Sequence, residues 1–267
     1  MISKTIDFKQ VDWYAQRASA AYQSEAQIRA QFPDTVRVAT VADEDVQYFL
    51  EQDPQQKLQV LSIRGTDNLE NGLLDADFMP WNDKALGIYV HKGFAKSTAK
   101  LYADVRPYLK PDYVTRVTGH SLGAAIAVLT MMQLHDDGFQ LDHAFNFGQP
   151  KVTNAKGGAA YGFLPLTRVV DENDVVPLVP PVTLLDSTHG RYEHLGEEVI
   201  LLDGQRYVYL DQHDATRLSV DSFWHDLGHE SIREHFMVNY LAHIRAKLAG
   251  AVQVPYAERE RFVAAEH

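Results

Sequence analysis

Apolar residues recur at Val11, Tyr14, Ala15, Ala18, Ala21 and Tyr22, the three-and-four spacing of one helical face. The chain therefore opens on an amphipathic helix laid against a core. Two strand-like runs follow, 46–50 (VQYFL) and 58–65 (LQVLSIRG), and the turn-rich stretch around Asp53 and Pro54 between them predicts a hairpin. From 66 to 92 the sequence is rich in Asp, Asn, Gly and Pro and poor in period, the mark of a long excursion between core elements. Beyond it the pattern alternates: a helix over 94–109, a strand over 113–119 (YVTRVTG), a helix over 122–135 and a strand over 143–148 (HAFNFG). Another short strand falls at 166–170 (LTRVV), a hairpin at 199–210 turns on Asp203 and Gly204, and Met237, Tyr240, Leu241, Ile244 and Leu248 mark a closing helix. Alternation of strand and helix predicts an α/β fold with a mostly parallel central sheet flanked by helices.

Composition narrows the function classes. With 45% apolar and 23% charged residues over 267 positions, the chain has the balance of one globular α/β unit, and no repeat or linker divides it, so a single domain over 1–267 is expected. A formal charge of -11 argues against nucleic acid as a partner, because phosphate backbones are bound by clustered Lys and Arg. No run is long and apolar enough for a transmembrane segment, and the start lacks a signal-peptide stretch. Cytoplasm is therefore the default expectation, with export by another route left open. The absence of cysteine removes thiol nucleophiles and Cys-ligated zinc, and neither a cofactor nor a metal is expected.

One segment carries chemistry. Gly119, His120, Ser121, Leu122 and Gly123 form a G-x-S-x-G turn between a strand and an alanine-rich helix, the setting in which a serine is held exposed as a nucleophile. Outside that context Ser121 would read as an ordinary helix N-cap. A serine hydroxyl needs a base to take its proton and a carboxylate to orient the base, and in α/β-hydrolases the chain order is Ser, acid, His. Asp171, Glu172 and Asp174 all follow the strand at 166–170. Asp174 is favoured because the prolines of the next segment, VVPLVPP, stiffen its loop, whereas Asp171 and Glu172 read as a solvated acidic turn. For the base, His225, His229, His235 and His243 are the principal candidates, with His189, His194 and His213 behind them. His235 is favoured because it immediately precedes the closing helix; His229 is the reserve, and His243 lies within that helix. His225 and His229 stand four apart in HDLGH, a metal-binding spacing, but Gly228 weakens the helix it requires.

These segments resemble the class 3 lipase family, the fungal-type triacylglycerol lipases, and within it a bacterial member. The resemblance is carried by IRGT at 63–66, VHKGF at 90–94, VTGHSLGAAIAVL around Ser121, FGQPKV at 147–152 and NDVVPLVPP around Asp174. It implies an α/β-hydrolase fold and a Ser121, Asp174, His235 triad. It also implies an oxyanion hole made by Thr66, through backbone N–H and hydroxyl, and by the backbone N–H of Leu122. A short helical lid at about 67–77 is implied too, with Asp75 bonded to the Thr66 hydroxyl. The lid reads NLENGLLD, with Gly72 near the place where fungal members commonly carry tryptophan. Trp81, just beyond it, is expected in an acyl-binding wall or in the core. The implied activity is hydrolysis of acylglycerol esters, with lipid or small-ester substrates and transient contact with a lipid interface. A phospholipase A1, a feruloyl or small-ester esterase, and a catalytically silent binding module of the same fold are the alternatives.

Overall fold

The computed structural model describes residues 4–41, 43–65, 79–179, 190–222 and 233–263. Outside them lie Thr66, the expected lid with Asp75, and the histidines His189, His225 and His229.

The opening helix, α1 (Phe8–Ala20), starts where the Asp7 carboxylate accepts the Lys9 N–H, and it buries Val11, Tyr14, Ala15 and Ala18 as the spacing predicts. A short helix, α2 (Glu25–Gln31), leads into an antiparallel meander of β1 (Thr35–Val41), β2 (Val46–Asp53) and β3 (Leu58–Ile63). Strand β1 is not anticipated by the sequence pattern: its inner residues are mostly half-exposed, so it carries little alternation. Inside the expected excursion two four-residue strands, β4 (Pro80–Asp83) and β5 (Ile88–His91), form a hairpin around Gly87. Trp81 sits on β4 with half its surface in solvent, so the core role offered for it is wrong. Strands this short give too few alternating positions to register as a period.

Helix α3 (Lys92–Val105) then precedes β6 (Val114–Gly119), which pairs in parallel with β3 and runs into α4 (Leu122–Asp136). Strands β7 (Ala144–Phe147) and β9 (Leu166–Asp171) continue in parallel, with β8 (Thr153–Asn154) and α5 (Ala155–Tyr161) between them. Beyond a two-residue β10 (Tyr192–Glu193), β11 (Glu197–Leu201) adds in parallel to β9 and β12 (Arg206–Leu210) returns antiparallel around Gly204. Helices α6 (Gln212–Ser222) and α7 (Met237–Leu248) follow, then β13 (Val252–Gln253) alongside β12.

Parallel bridges Thr115–Leu141 and His120–Phe147, with Thr118 Oγ1 donating to the Phe145 carbonyl (2.7 Å), put β6 beside β7. The order along the main sheet is then β1-β2-β3-β6-β7-β9-β11-β12-β13, parallel from β3 to β11. This is the α/β-hydrolase fold. Its faces are covered unequally. Helix α4 is apolar all round and fills the core on one face with Leu61, Ile63 and Val117, whereas α1 and α7 pack together over Phe145, Phe147, Val169 and Val199 on the other. The carboxyl ends of β6, β7 and β9 thus open side by side, where open α/β sheets bind their ligands. Among the described residues no helix is long and apolar enough to cross a membrane.

Candidate active site

Ser121 occupies the turn between β6 and α4 with φ 58° and ψ -131°, a left-handed conformation that costs a non-glycine residue about 1–3 kcal/mol and persists only where its surroundings impose it. Close glycine contacts impose it here. A Cβ on Gly119 would fall 2.4 Å from the Gly123 carbonyl oxygen, and one on Gly123 would fall 2.4 Å from the carbonyl oxygen of Ile63 at the end of β3. Strand and helix can approach this closely only with both side chains absent. The Ser121 N–H donates to the Phe147 carbonyl (3.0 Å), tying the turn to the end of β7. Leu122 is the first residue of α4, so its N–H belongs to the first turn, whose donors have no intrahelical acceptor.

Asp174 and His235 are brought together from residues 61 positions apart: His235 Nδ1 donates to Asp174 Oδ2 at 2.7 Å, and both side chains are fully buried. Asp174 sits just past β9. Its Oδ1 accepts the Val176 N–H (2.8 Å) at the start of a 3-10 turn, Val176–Leu178, and its own N–H donates to the Asp171 carbonyl. Tyr240, one turn into α7, donates its hydroxyl to Asp174 Oδ2 (2.5 Å). Burial first, and the neighbouring Asp174 and Asp171 charges next, push the Tyr240 phenol far above its usual range, so it remains a donor. A carboxylate holding these donors keeps a fixed orientation toward the imidazole. His235 Nε2 is buried and has no hydrogen-bond partner among the described residues. Because Nδ1 donates to the carboxylate, Nε2 is the basic nitrogen.

Two residues of this arrangement escaped the sequence reading. Tyr240 was read only as a core position of the closing helix, which it also is. Gly148, in FGQPKV, has φ 53°, and a Cβ there would fall 2.6 Å from His235 Cε1 and 3.0 Å from Asp174 Oδ2. Its place in the sequence, directly after a strand, is the only signal that could have marked it. Gly148→Ala is expected to displace the His235–Asp174 pair and cost about 100-fold or more in kcat while the fold persists. Turnover at saturating ester, with far-ultraviolet circular dichroism as the control, measures this; wild-type kcat would contradict it.

The remaining candidates are accounted for elsewhere. Asp171 is buried rather than solvated, and its Oδ2 accepts from His243 Nδ1 at 2.6 Å, so the discarded acid and a discarded base pair with each other. They meet because α7 packs His243 alongside the end of β9. Glu172 forms an ion pair with Arg259 (2.7 Å). His194 is buried with Nε2 donating to the Pro177 carbonyl (2.7 Å), and His213 is exposed. The Asp171 hydrogen bond, against the effect of burial and of Lys247, raises the His243 pKa above its ordinary 6.5. A raised folded value means that the pair stabilises fully below the unfolded value near pH 6.5 and is lost as pH rises through the folded one. His243→Gln is therefore expected to lower Tm more at pH 6 than at pH 9; thermal melts at both, with equal losses, would refute it.

A strained serine at a strand-to-helix turn, at the carboxyl end of a parallel sheet and next to His120, whose ring packs on the buried His235–Asp174 pair, is the arrangement of the α/β-hydrolase fold. The sequence profile described as Lipase (class 3) matches residues 60–184. A lipase of Rhizomucor miehei is 33% identical over 162 residues, covering 55% of this chain and 43% of its own. The secreted mono- and diacylglycerol lipase 1 of Fusarium solani is 30% identical over 149 residues, covering 50% of this chain and 43% of its own. The crystal structure of a lipase from Rhizopus microsporus var. chinensis superposes with a TM-score of 0.67 at 25% identity, covering 85% of each chain. Over residues 60–184 the chain is similar to the class 3 lipase family. Its matched part spans well under half the length of the first two relatives. The cytoplasmic default is corrected by the same comparison. The Fusarium solani relative is named as secreted, which points to the extracellular side rather than the cytoplasm.

Proposed function

We propose that this protein is a serine carboxylic-ester hydrolase that cleaves acylglycerol esters through an acyl-enzyme. One observation carries the proposal: the buried His235–Asp174 pair has a basic Nε2 that no described group uses, and His235 packs against His120, the residue before Ser121 in its strained turn. The names of the relatives, lipases and a mono- and diacylglycerol lipase, support the substrate class.

In this reading Ser121 Oγ attacks the ester carbonyl carbon while its proton passes to His235 Nε2. The carbonyl π pair moves to oxygen. That oxyanion is met by the Leu122 N–H at the head of α4 and by Thr66, which follows Gly65 at the end of β3 and lies outside the described residues. Asp174, held by Tyr240 and the Val176 N–H, orients the ring and stabilises the imidazolium. Collapse of the intermediate breaks the bond to the alcohol, which leaves with the proton from His235. Water then repeats the sequence on the acyl-enzyme and releases the acid.

The test is labelling with a fluorophosphonate, followed by mapping of the modified residue, together with initial rates on a series of acylglycerol, phospholipid and feruloyl esters. Modification at Ser121 with fastest turnover of acylglycerols is expected. An unlabelled protein would overturn the hydrolase; a preference for phospholipids or feruloyl esters would keep the chemistry and change the substrate.

A further inference from the structure

Tyr22 lies just past the end of α1, about a hundred positions before the serine turn, and the mechanism above does not use it. Its hydroxyl nonetheless meets two segments that border the site. The Gly65 N–H donates to Tyr22 Oη (3.2 Å), and Tyr22 Oη lies 2.7 Å from His120 Nδ1. On the far side of the same ring, His120 Nε2 lies 2.7 Å from the carbonyl oxygen of His235, and the two imidazoles pack tilted by 33° with centroids 4.4 Å apart.

The chemistry of each group gives this chain one direction. A carbonyl oxygen only accepts, so Nε2 of His120 carries the proton and donates it to His235. Burial, and the neighbouring His235 next, hold the His120 pKa well below 6.5, so the ring is neutral and Nδ1 is an acceptor. Tyr22 therefore donates its hydroxyl proton to Nδ1, while its oxygen accepts the Gly65 N–H. The result is a single ordered path: Gly65 N–H to Tyr22 O–H to His120, and His120 Nε2–H to the His235 carbonyl. Gly65 itself is pressed against the serine turn, where a Cβ would fall 2.9 Å from the His120 carbonyl oxygen and 3.0 Å from Ser121 Cβ.

We propose that Tyr22 is a positioning residue for the hydrolysis, setting through His120 the spacing between the end of β3 and the peptide that carries His235. The proposal rests on the triad reading above. Its geometric basis is that His235 ends a 3-10 turn, Arg233–His235, just before α7 and has its backbone fixed to the serine turn through the His120 ring. Without the Tyr22 hydroxyl, His120 Nδ1 and the Gly65 N–H both lose a buried partner, and the neutral ring is held from the His235 side alone.

Tyr22→Phe removes that hydroxyl and keeps the ring. On a dissolved short-chain ester, with competent sites counted by fluorophosphonate titration, kcat per site is expected to fall about 10- to 100-fold while KM stays within about twofold. An unchanged kcat per site overturns the proposal, and so does a loss confined to the number of titratable sites, which is the mark of a structural role alone. The second measurement needs no variant. Ring 15N spectra of the wild-type protein are expected to report His120 as the neutral Nε2–H tautomer, without titration from pH 5 to 9. An Nδ1–H tautomer or a titrating ring overturns the path even if the variant does not fold. A wild-type protein that hydrolyses no ester would instead refute the proposed function, while the spectra test the path independently of it.

Discussion

Ser121→Ala is expected to lower kcat by about a millionfold and to leave the fold intact, because nucleophile, base and acid act as a unit and the loss of one forfeits nearly all of their joint contribution. The fold should tolerate the change. Ser121 contributes no side-chain hydrogen bond to the cap of α4, and the glycines at 119 and 123 hold the turn whatever stands between them. Alanine at φ 58° retains the backbone strain, so no large gain in Tm should accompany the loss of activity. The measurement is turnover on a short-chain acylglycerol with denaturation as the control. Retention of more than about a hundredth of wild-type turnover would show that another group is the nucleophile.

His235→Ala should be of comparable size, about a millionfold in kcat, since no other described histidine has a free nitrogen beside Ser121 and the acid. His243 is paired with Asp171 and not with Asp174. The variant also leaves Asp174 buried with Tyr240 and the Val176 N–H but without its imidazole, so a loss of stability of about 1–3 kcal/mol should accompany the loss of turnover. Rates and chemical denaturation on the same preparation separate the two effects. An active His235→Ala protein, paired with an inactive His229→Ala protein, would move the base to His229.

Much of the fold was legible in the sequence because it is carried by local pattern. The stripe of α1, the alternation of β6, α4, β7 and β9, and the turn at Gly204 each follow from side-chain periodicity or turn chemistry within one segment. The serine turn was legible for the same reason: two glycines and a serine at fixed spacing between strand and helix are a local requirement of the backbone. The short strands β4, β5, β8 and β10 were not, since two to four residues hold no period and owe their pairing to neighbours distant in the chain.

Choosing among carboxylates and histidines is a different problem. Chain order and loop stiffness could rank Asp174 above Asp171, and His235 above His243, but nothing local says that Asp171 is buried. That follows from α7 lying across the end of β9, which gives Asp171 its own histidine and leaves Asp174 to His235. Gly148 looks like any glycine after a strand until the His235 ring is placed against it. Tyr240 and Tyr22 both satisfy a helical apolar stripe, and periodicity reports only that their rings face inward. What their hydroxyls reach depends on which elements meet there, a long-range property of the packed chain. The sequence by itself thus determined the elements and the serine turn, whose causes are local; the tertiary structure alone decided which polar side chains share the buried space behind that turn.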